Sequence, residues 1–129
     1  MSIFSKIISK DIPAAIVAED DNFIAILDIA PLVRGHVLVV PKIEVDKIFN
    51  VSDEVLSKML VFAKPIAKAI EQAFDCNRCG IAVIGLEVSH AHMHLVPIQS
   101  ADDLNFTRTK LKVTPAELSE DLKKIRACL

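Results

Sequence analysis

Three of the four histidines in this 129-residue chain fall within five positions, in the segment Val88-Ser89-His90-Ala91-His92-Met93-His94-Leu95-Val96-Pro97. On a strand, alternate residues share a face, which sets His90, His92 and His94 side by side at a spacing of about 6.6 Å. Ala91, Met93 and Leu95 then point the other way, into a core. A packing role alone explains this pattern poorly, because adjacent imidazoles repel when charged and need hydrogen-bond partners when buried. Two chemistries fit. Neutral imidazoles ligate zinc, copper or iron, with His36 or Glu87 completing a set formed by His90, His92 and His94. Alternatively, one imidazole attacks an electrophile while its neighbours orient it and handle protons, a task suited to an unperturbed pKa of ~6.5.

The rest of the composition narrows the electrophile. The only glycines are Gly35, Gly80 and Gly85, too few for either standard phosphate loop. There is no Trp or Tyr, and the formal net charge is -2, which argues against a nucleic-acid partner. The N-terminus has no continuous apolar signal segment, and no apolar run is long enough to span a membrane, so a cytoplasmic protein with no membrane partner is expected. Cys76, Cys79 and Cys128 are then reduced thiols. Cys76-Asn77-Arg78-Cys79 follows a helix rather than opening one, so it reads as packing.

The elements that must position the histidines form one domain over 1–129. Ile3, Phe4, Ile7 and Ile8 have helical spacing before Pro13. Ala15–Glu19 and Phe23–Leu27 make a hairpin around Asp20-Asp21-Asn22. Asp28–Gly35 is a loop, and His36–Val40 is a strand closed by Pro41. A long helix starts at Ser52 or Asp53, with Leu56, Met59, Leu60, Ala63, Ile66, Ala67 and Ile70 as its buried stripe. Pro65 within it removes one backbone donor and kinks the helix, at ~3 kcal/mol if uncompensated. Cys79–Ile84 and Val88–Ile98 read as strands joined near Gly85. Thr114-Pro115-Ala116-Glu117 is a capping box opening a C-terminal helix over about 115–127. The fold class is α+β: a mainly antiparallel five-stranded sheet, one long helix, a short N-terminal helix and a C-terminal helix.

His90-Ala91-His92-Met93-His94-Leu95-Val96 resembles the HxHxHxx signature of the histidine-triad (HIT) family of nucleotide hydrolases and transferases. Ser2–Ile8, Asp11-Ile12-Pro13-Ala14, Leu27-Asp28-Ile29-Ala30-Pro31 and Gly35–Lys42 are similar, in order, to motifs of its Hint-like branch. The resemblance covers 1–97 and leaves 98–129 as a C-terminal extension. It implies a HIT-like fold, a homodimer, a nucleotide substrate, purine by preference, and no cofactor or metal. His92 would be the nucleophile carrying a covalent nucleotidyl group, its tautomer fixed by the main-chain carbonyl of His90. His94 would contact the phosphate or leaving group, and His36 would complete the network. Asp28 would bind the ribose hydroxyls, and Ile3, Phe4, Ile7, Ile26 and Ile29 would sandwich the base. The chain departs from the family where a longer loop precedes the triad. Gly85 stands in place of an Asn, Leu86 of a Gln and Glu87 of a hydroxyl, and a carboxylate beside a phosphate must point away or be paired. Ser2 and Ser5 stand where some relatives have zinc-binding cysteines. Two other outcomes stay open: a nucleotide-binding module with little catalysis, and a metal site on His36, His90, His92 and His94.

Overall fold

Phe23-Ile24-Ala25-Ile26-Leu27 and Val37-Leu38-Val39-Val40-Pro41 are buried at every position. A strand that is apolar on both faces must be covered on both faces, and these two lie at the centre of a sheet with two separate apolar layers. In the computed structural model, which describes residues 1–129, α1 spans Ile3–Ile8, β1 Ile16–Glu19, β2 Phe23–Leu27, β3 Val37–Pro41, α2 Asp53–Ala73, β4 Arg78–Ala82, β5 Met93–Ile98 and α3 Pro115–Ala127. The five strands are ordered β1-β2-β3-β5-β4, with every neighbouring pair antiparallel. This is the α+β architecture the patterning predicts.

Alternation along the strands sorts the core. Phe23, Ala25 and Leu27 of β2, Val37 and Val39 of β3, and Met93 and Leu95 of β5 face α2 and α3 and form the larger layer. Ile24, Ile26, Leu38 and Val40 face the other way, where Phe4 and Ile7 of α1 cover them. Full burial of each such side chain is worth about 1.5–3 kcal/mol. The buried stripe of α2 is Met59, Ala63, Ile66, Ala69 and Ile70. Leu60, expected in that stripe, is 63% exposed instead, because a residue directly after Met59 is rotated ~100° around the helix. Pro65 lies on the exposed face of α2, and the Val61 residue whose carbonyl it leaves without a partner is exposed as well. Water can therefore satisfy that carbonyl.

The caps follow the sequence. Ser52 accepts from the Val55 N–H at the start of α2. Thr114 and Glu117 form the reciprocal capping box of α3, with Pro115 in its first turn. Buried Asp121 of α3 takes a two-pronged contact from Arg34 (2.6 and 2.8 Å), which fastens the helix to the loop preceding β3.

The last two strands are shorter than expected. β4 ends at Ala82 and β5 begins only at Met93, so His90 and His92 sit in a connecting segment and only His94 lies on a strand. The β3–β5 register explains this. Val39 pairs with Met93, and extending the ladder would set Ala91 opposite Pro41, which has no N–H to give. The Ala91 N–H donates instead to the Val45 carbonyl at 2.7 Å. The Val88–Ile98 strand and the Cys79–Ile84 strand are corrected accordingly, and the connection between them spans residues 83–92 rather than a tight turn at Gly85.

Candidate functional site: a histidine cluster on the α1 side of the sheet

His94 pairs with Leu38 across β3 and β5 and so projects to the face that α1 covers. His90 and His92, although off the strand, gather on the same side. The His92 ring lies 5.0 Å from that of His94 and 5.0 Å from that of Phe4, and Phe4 also meets His90 edge-on at 5.8 Å. His36, one residue before β3, completes the group. All four histidines are at least 93% buried.

The proton on each ring follows from its partners. Only an N–H can face a carbonyl, so His90 Nε2 donates to the Pro41 carbonyl (2.7 Å) and its Nδ1 accepts from the Ser2 hydroxyl (2.7 Å). By the same rule His92 Nδ1 donates to the His90 carbonyl at 2.7 Å, which leaves an unprotonated lone pair on Nε2. The Leu32 N–H donates to His36 Nδ1 (3.1 Å), so His36 carries its proton on Nε2 and donates it to His94 Nδ1 at 2.8 Å. His94 must then carry its own proton on Nε2. Both His92 Nε2 and His94 Nε2 lack a protein partner and open onto a cleft, one as an acceptor or nucleophile and the other as a donor. Burial, with the neighbouring His94, drives the pKa of His36 down to about 3. Burial, with the neighbouring His92, drives that of His94 down to about 4. Both are neutral at pH 7, which the relay of single protons requires. Asp28 Oδ2, 3.7 Å from His36 Nε2, is therefore neither ion-paired nor hydrogen-bonded to it.

The cleft, about 220 Å³, has Phe4, Asp28, Gly85, His92 and His94 in its wall. An adjoining apolar cavity of about 140 Å³ shares Phe4, Asp28 and Leu38 with it and is lined further by Ile3, Ile7, Ile26 and Ile29. Asp28 stands at the junction. Its Oδ1 accepts from the Ala30 N–H (2.9 Å), and burial raises its pKa. Of the residues singled out from the sequence, Phe4, Asp28, Gly85, His92 and His94 line the cleft and Ile3, Ile7, Ile26 and Ile29 the adjoining cavity. His36 and His90 line neither and stand behind them, His36 bonded to the His94 ring and His90 holding His92 through its carbonyl. Gly85 has a left-handed backbone (φ 76°) with open space where a Cβ would point.

Beyond the apolar Leu38, Ile84 and Val88, the cleft is lined by two residues of the C-terminal extension that the sequence does not single out. Phe106 packs edge-on against His94 at 4.6 Å and reaches His36 at 6.3 Å. Lys110 also enters the cleft, where its Nζ lies 3.4 Å from Glu87 Oε1. The carboxylate that looked misplaced beside a phosphate is therefore paired. Arg108 donates to the Leu32 carbonyl and the Leu111 N–H to the Pro31 carbonyl, both at 2.8 Å, which ties this segment to the loop holding His36. The available signal was Phe106 itself, the only aromatic residue after Phe74, set in a polar stretch.

The ring partners bear on a metal. Both nitrogens of His90 are taken, and those of His36 and His94 that approach each other share one proton. The ligand atoms of Asp28, His36 and His94 lie within 4.8 Å of one another, but a cation there would have to break the His36–His94 bond. At the other end, Ser2 and Ser5 replace thiolates with hydroxyls that zinc binds weakly. These hydroxyls are occupied, Ser5 donating to Glu44 Oε1 (2.6 Å) and Ser2 to His90. The residues present do not fit a zinc ion at that position.

Comparison with known proteins agrees with the geometry. The HIT domain family model matches residues 9–101. An uncharacterized HIT-like protein of Methanocaldococcus jannaschii is 35% identical over 98% of this chain and 99% of its own. The purine nucleoside phosphoramidase of Escherichia coli is 38% identical over 74% of this chain and 85% of its own. A HIT-like protein of Bartonella henselae, solved by crystallography, superposes with a TM-score of 0.85 at 32% identity, covering 99% of this chain and 96% of that one. With the histidine cluster, the sheet order and these matches in accord, the chain belongs to the HIT family of histidine-triad proteins.

Proposed function

We propose that the protein is a nucleotide hydrolase or transferase that cleaves a nucleoside phosphoramidate, or a related nucleoside-phosphate derivative, through a covalent intermediate on His92. The observation that carries this reading is the His92 tautomer. Its Nδ1 proton is held by the His90 carbonyl, which leaves Nε2 as a free lone pair at the cleft. The base would occupy the apolar cavity, the ribose hydroxyls would meet Asp28, and the phosphate would lie against His92 and His94. The Nε2 lone pair attacks the α-phosphorus. The P–Nε2 bond forms as the bond to the leaving group breaks, and that group departs with its electron pair and takes a proton from solvent. His94 Nε2–H donates to a phosphoryl oxygen or to the departing atom, and the positive charge left on His92 is stabilised by the His90 carbonyl. Water then attacks phosphorus, the P–Nε2 bond breaks, and the water's proton returns to solvent.

A homodimer is part of the same reading. β4 is an open sheet edge, Ile81, Val83, Ile84 and Leu86 are exposed on it and just beyond it, and Leu60 and Val61 are exposed on α2. A second copy would cover both surfaces.

The test is turnover of adenosine phosphoramidate in the presence of EDTA. The wild-type protein is expected to release AMP, and His92→Ala to lose at least ~10³-fold in kcat. Intact-mass analysis of a quenched reaction should find a nucleotidyl adduct that His92→Ala lacks. No wild-type turnover, or equal turnover by the variant, overturns the proposal. Nucleotide binding without turnover would leave a binding module.

A further inference from the structure

Resting on the nucleotide reading above, we infer that Lys110 is the residue with which this chain binds the negative charge of its substrate's phosphates. Glu87 serves as a displaceable counterion, so the site favours nucleotides whose leaving group is itself anionic over those that release a neutral amine.

The inference starts from what the cleft lacks. A phosphate is usually held by backbone N–H groups of a glycine-rich loop or by cationic side chains. The segment before the triad offers one glycine, Gly85, followed by the exposed Leu86 and Glu87. His36 and His94 supply no standing charge, since they are held in single neutral tautomers by the Leu32–His36–His94 chain of hydrogen bonds. Two carboxylates, Asp28 and Glu87, line the cleft, and Lys110 is the only Lys or Arg that does so. Without Lys110, a phosphate would enter a site of net negative charge.

Its placement fits the role. Lys110 and Glu87 line the histidine cleft and not the apolar cavity, so the cation is at the phosphate end. The main chain beside it is fixed by the bonds from Arg108 and Leu111 to the Pro31-Leu32 loop, so its reach is defined relative to His36 and His94. The Lys110–Glu87 contact at 3.4 Å is loose, and the Glu87 side chain is 80% exposed against 29% for Lys110. An exposed ion pair of this kind contributes little, and Glu87 can turn into water when a phosphate oxygen takes its place. Lys110, in the more enclosed position, stays. Each further negative charge on the ligand gains from Lys110, and a neutral amine leaving group gains nothing.

The experiment is calorimetric titration of adenosine, AMP and ADP into wild-type protein, Lys110→Met and Glu87→Gln, none of which requires turnover. Loss of one charge-assisted contact corresponds to about 10- to 100-fold in affinity. Lys110→Met is expected to weaken ADP binding by that factor, AMP by less, and adenosine not at all. Glu87→Gln should tighten ADP by a few-fold. Unchanged adenosine binding shows that the variant remains folded with its apolar cavity intact. Equal weakening of all three ligands, no weakening of any, or wild-type protein that binds ADP no better than adenosine would overturn the inference. Turnover of adenosine phosphoramidate with ADP binding indifferent to Lys110 would remove this inference alone. Lys110-dependent ADP binding without turnover would keep it and remove the hydrolase reading.

Discussion

Gly35 precedes His36 in a left-handed conformation (φ 94°), and a Cβ built on it would lie 2.7 Å from Cε2 and 2.8 Å from Cδ2 of Phe74. Gly35→Ala therefore carries two separable costs. The backbone cost for an L-residue in this region is about 1–2 kcal/mol, and φ lies beyond the small left-handed well that ends near +70°. The second cost is steric. Phe74 caps the C-terminus of α2 and packs on the main core, so its ring cannot simply swing clear, and overpacking of this kind costs about 1–3 kcal/mol. Together they predict a loss of about 2–5 kcal/mol in urea unfolding. The double variant Gly35→Ala/Phe74→Leu separates them, because it removes the ring edge but leaves φ unchanged. It should recover about 1–2 kcal/mol relative to additivity. Because residue 35 adjoins His36, whose proton sets the tautomer of His94, the surviving folded protein should also be slower in the turnover proposed above. A single-variant loss below ~1 kcal/mol, or strict additivity in the double variant, would refute the steric part of the reasoning.

Two further outcomes follow from the histidine network. His36 and His94 bind a proton more weakly in the folded protein (pKa about 3 and about 4) than in an unfolded chain, burial being the main cause in each. Their contribution is therefore complete above the unfolded value near 6.5 and is lost as pH falls from there toward 4, at up to ~1.4 kcal/mol per pH unit for each histidine. Urea midpoints at pH 7 and pH 5 measure this, and the difference should shrink in His94→Asn; a midpoint unchanged between the two pH values would contradict it. Ser2→Ala removes both the N-cap of α1 and the donor to buried His90 Nδ1. Loss of ~1–3 kcal/mol and faster amide exchange in α1 are expected, and a variant as stable as wild type would show that the Ser2–His90 bond contributes nothing net.

The fold was legible where pattern and physics are local. Phe23–Leu27, the stripe from Met59 through Ala63 and Ile66 to Ile70, and the Thr114-Pro115-Ala116-Glu117 box each declare their element within a few residues, and the structure has those elements. Spacing alone also set His90, His92 and His94 apart as a cluster. What the pattern misread was the strand carrying them, since Val88–Val96 alternates as a strand should. The ladder stops at Met93 because of Pro41, a residue about fifty positions away whose effect depends on the register between β3 and β5. That failure is informative about the site. A continued strand would set the three rings in a row along one face. A broken one lets the main chain of His90 turn its carbonyl onto His92 Nδ1 and frees the His90 ring to reach Pro41 and Ser2. Lys110 and Phe106 were hidden for a related reason. Their segment has no periodicity, and its place is set by two hydrogen bonds to the Pro31-Leu32 loop, contacts between backbone groups and one arginine that no local composition announces. The histidine cluster is thus readable from its own spacing, whereas the cationic Lys110 beside it depends on where the rest of the chain comes to lie.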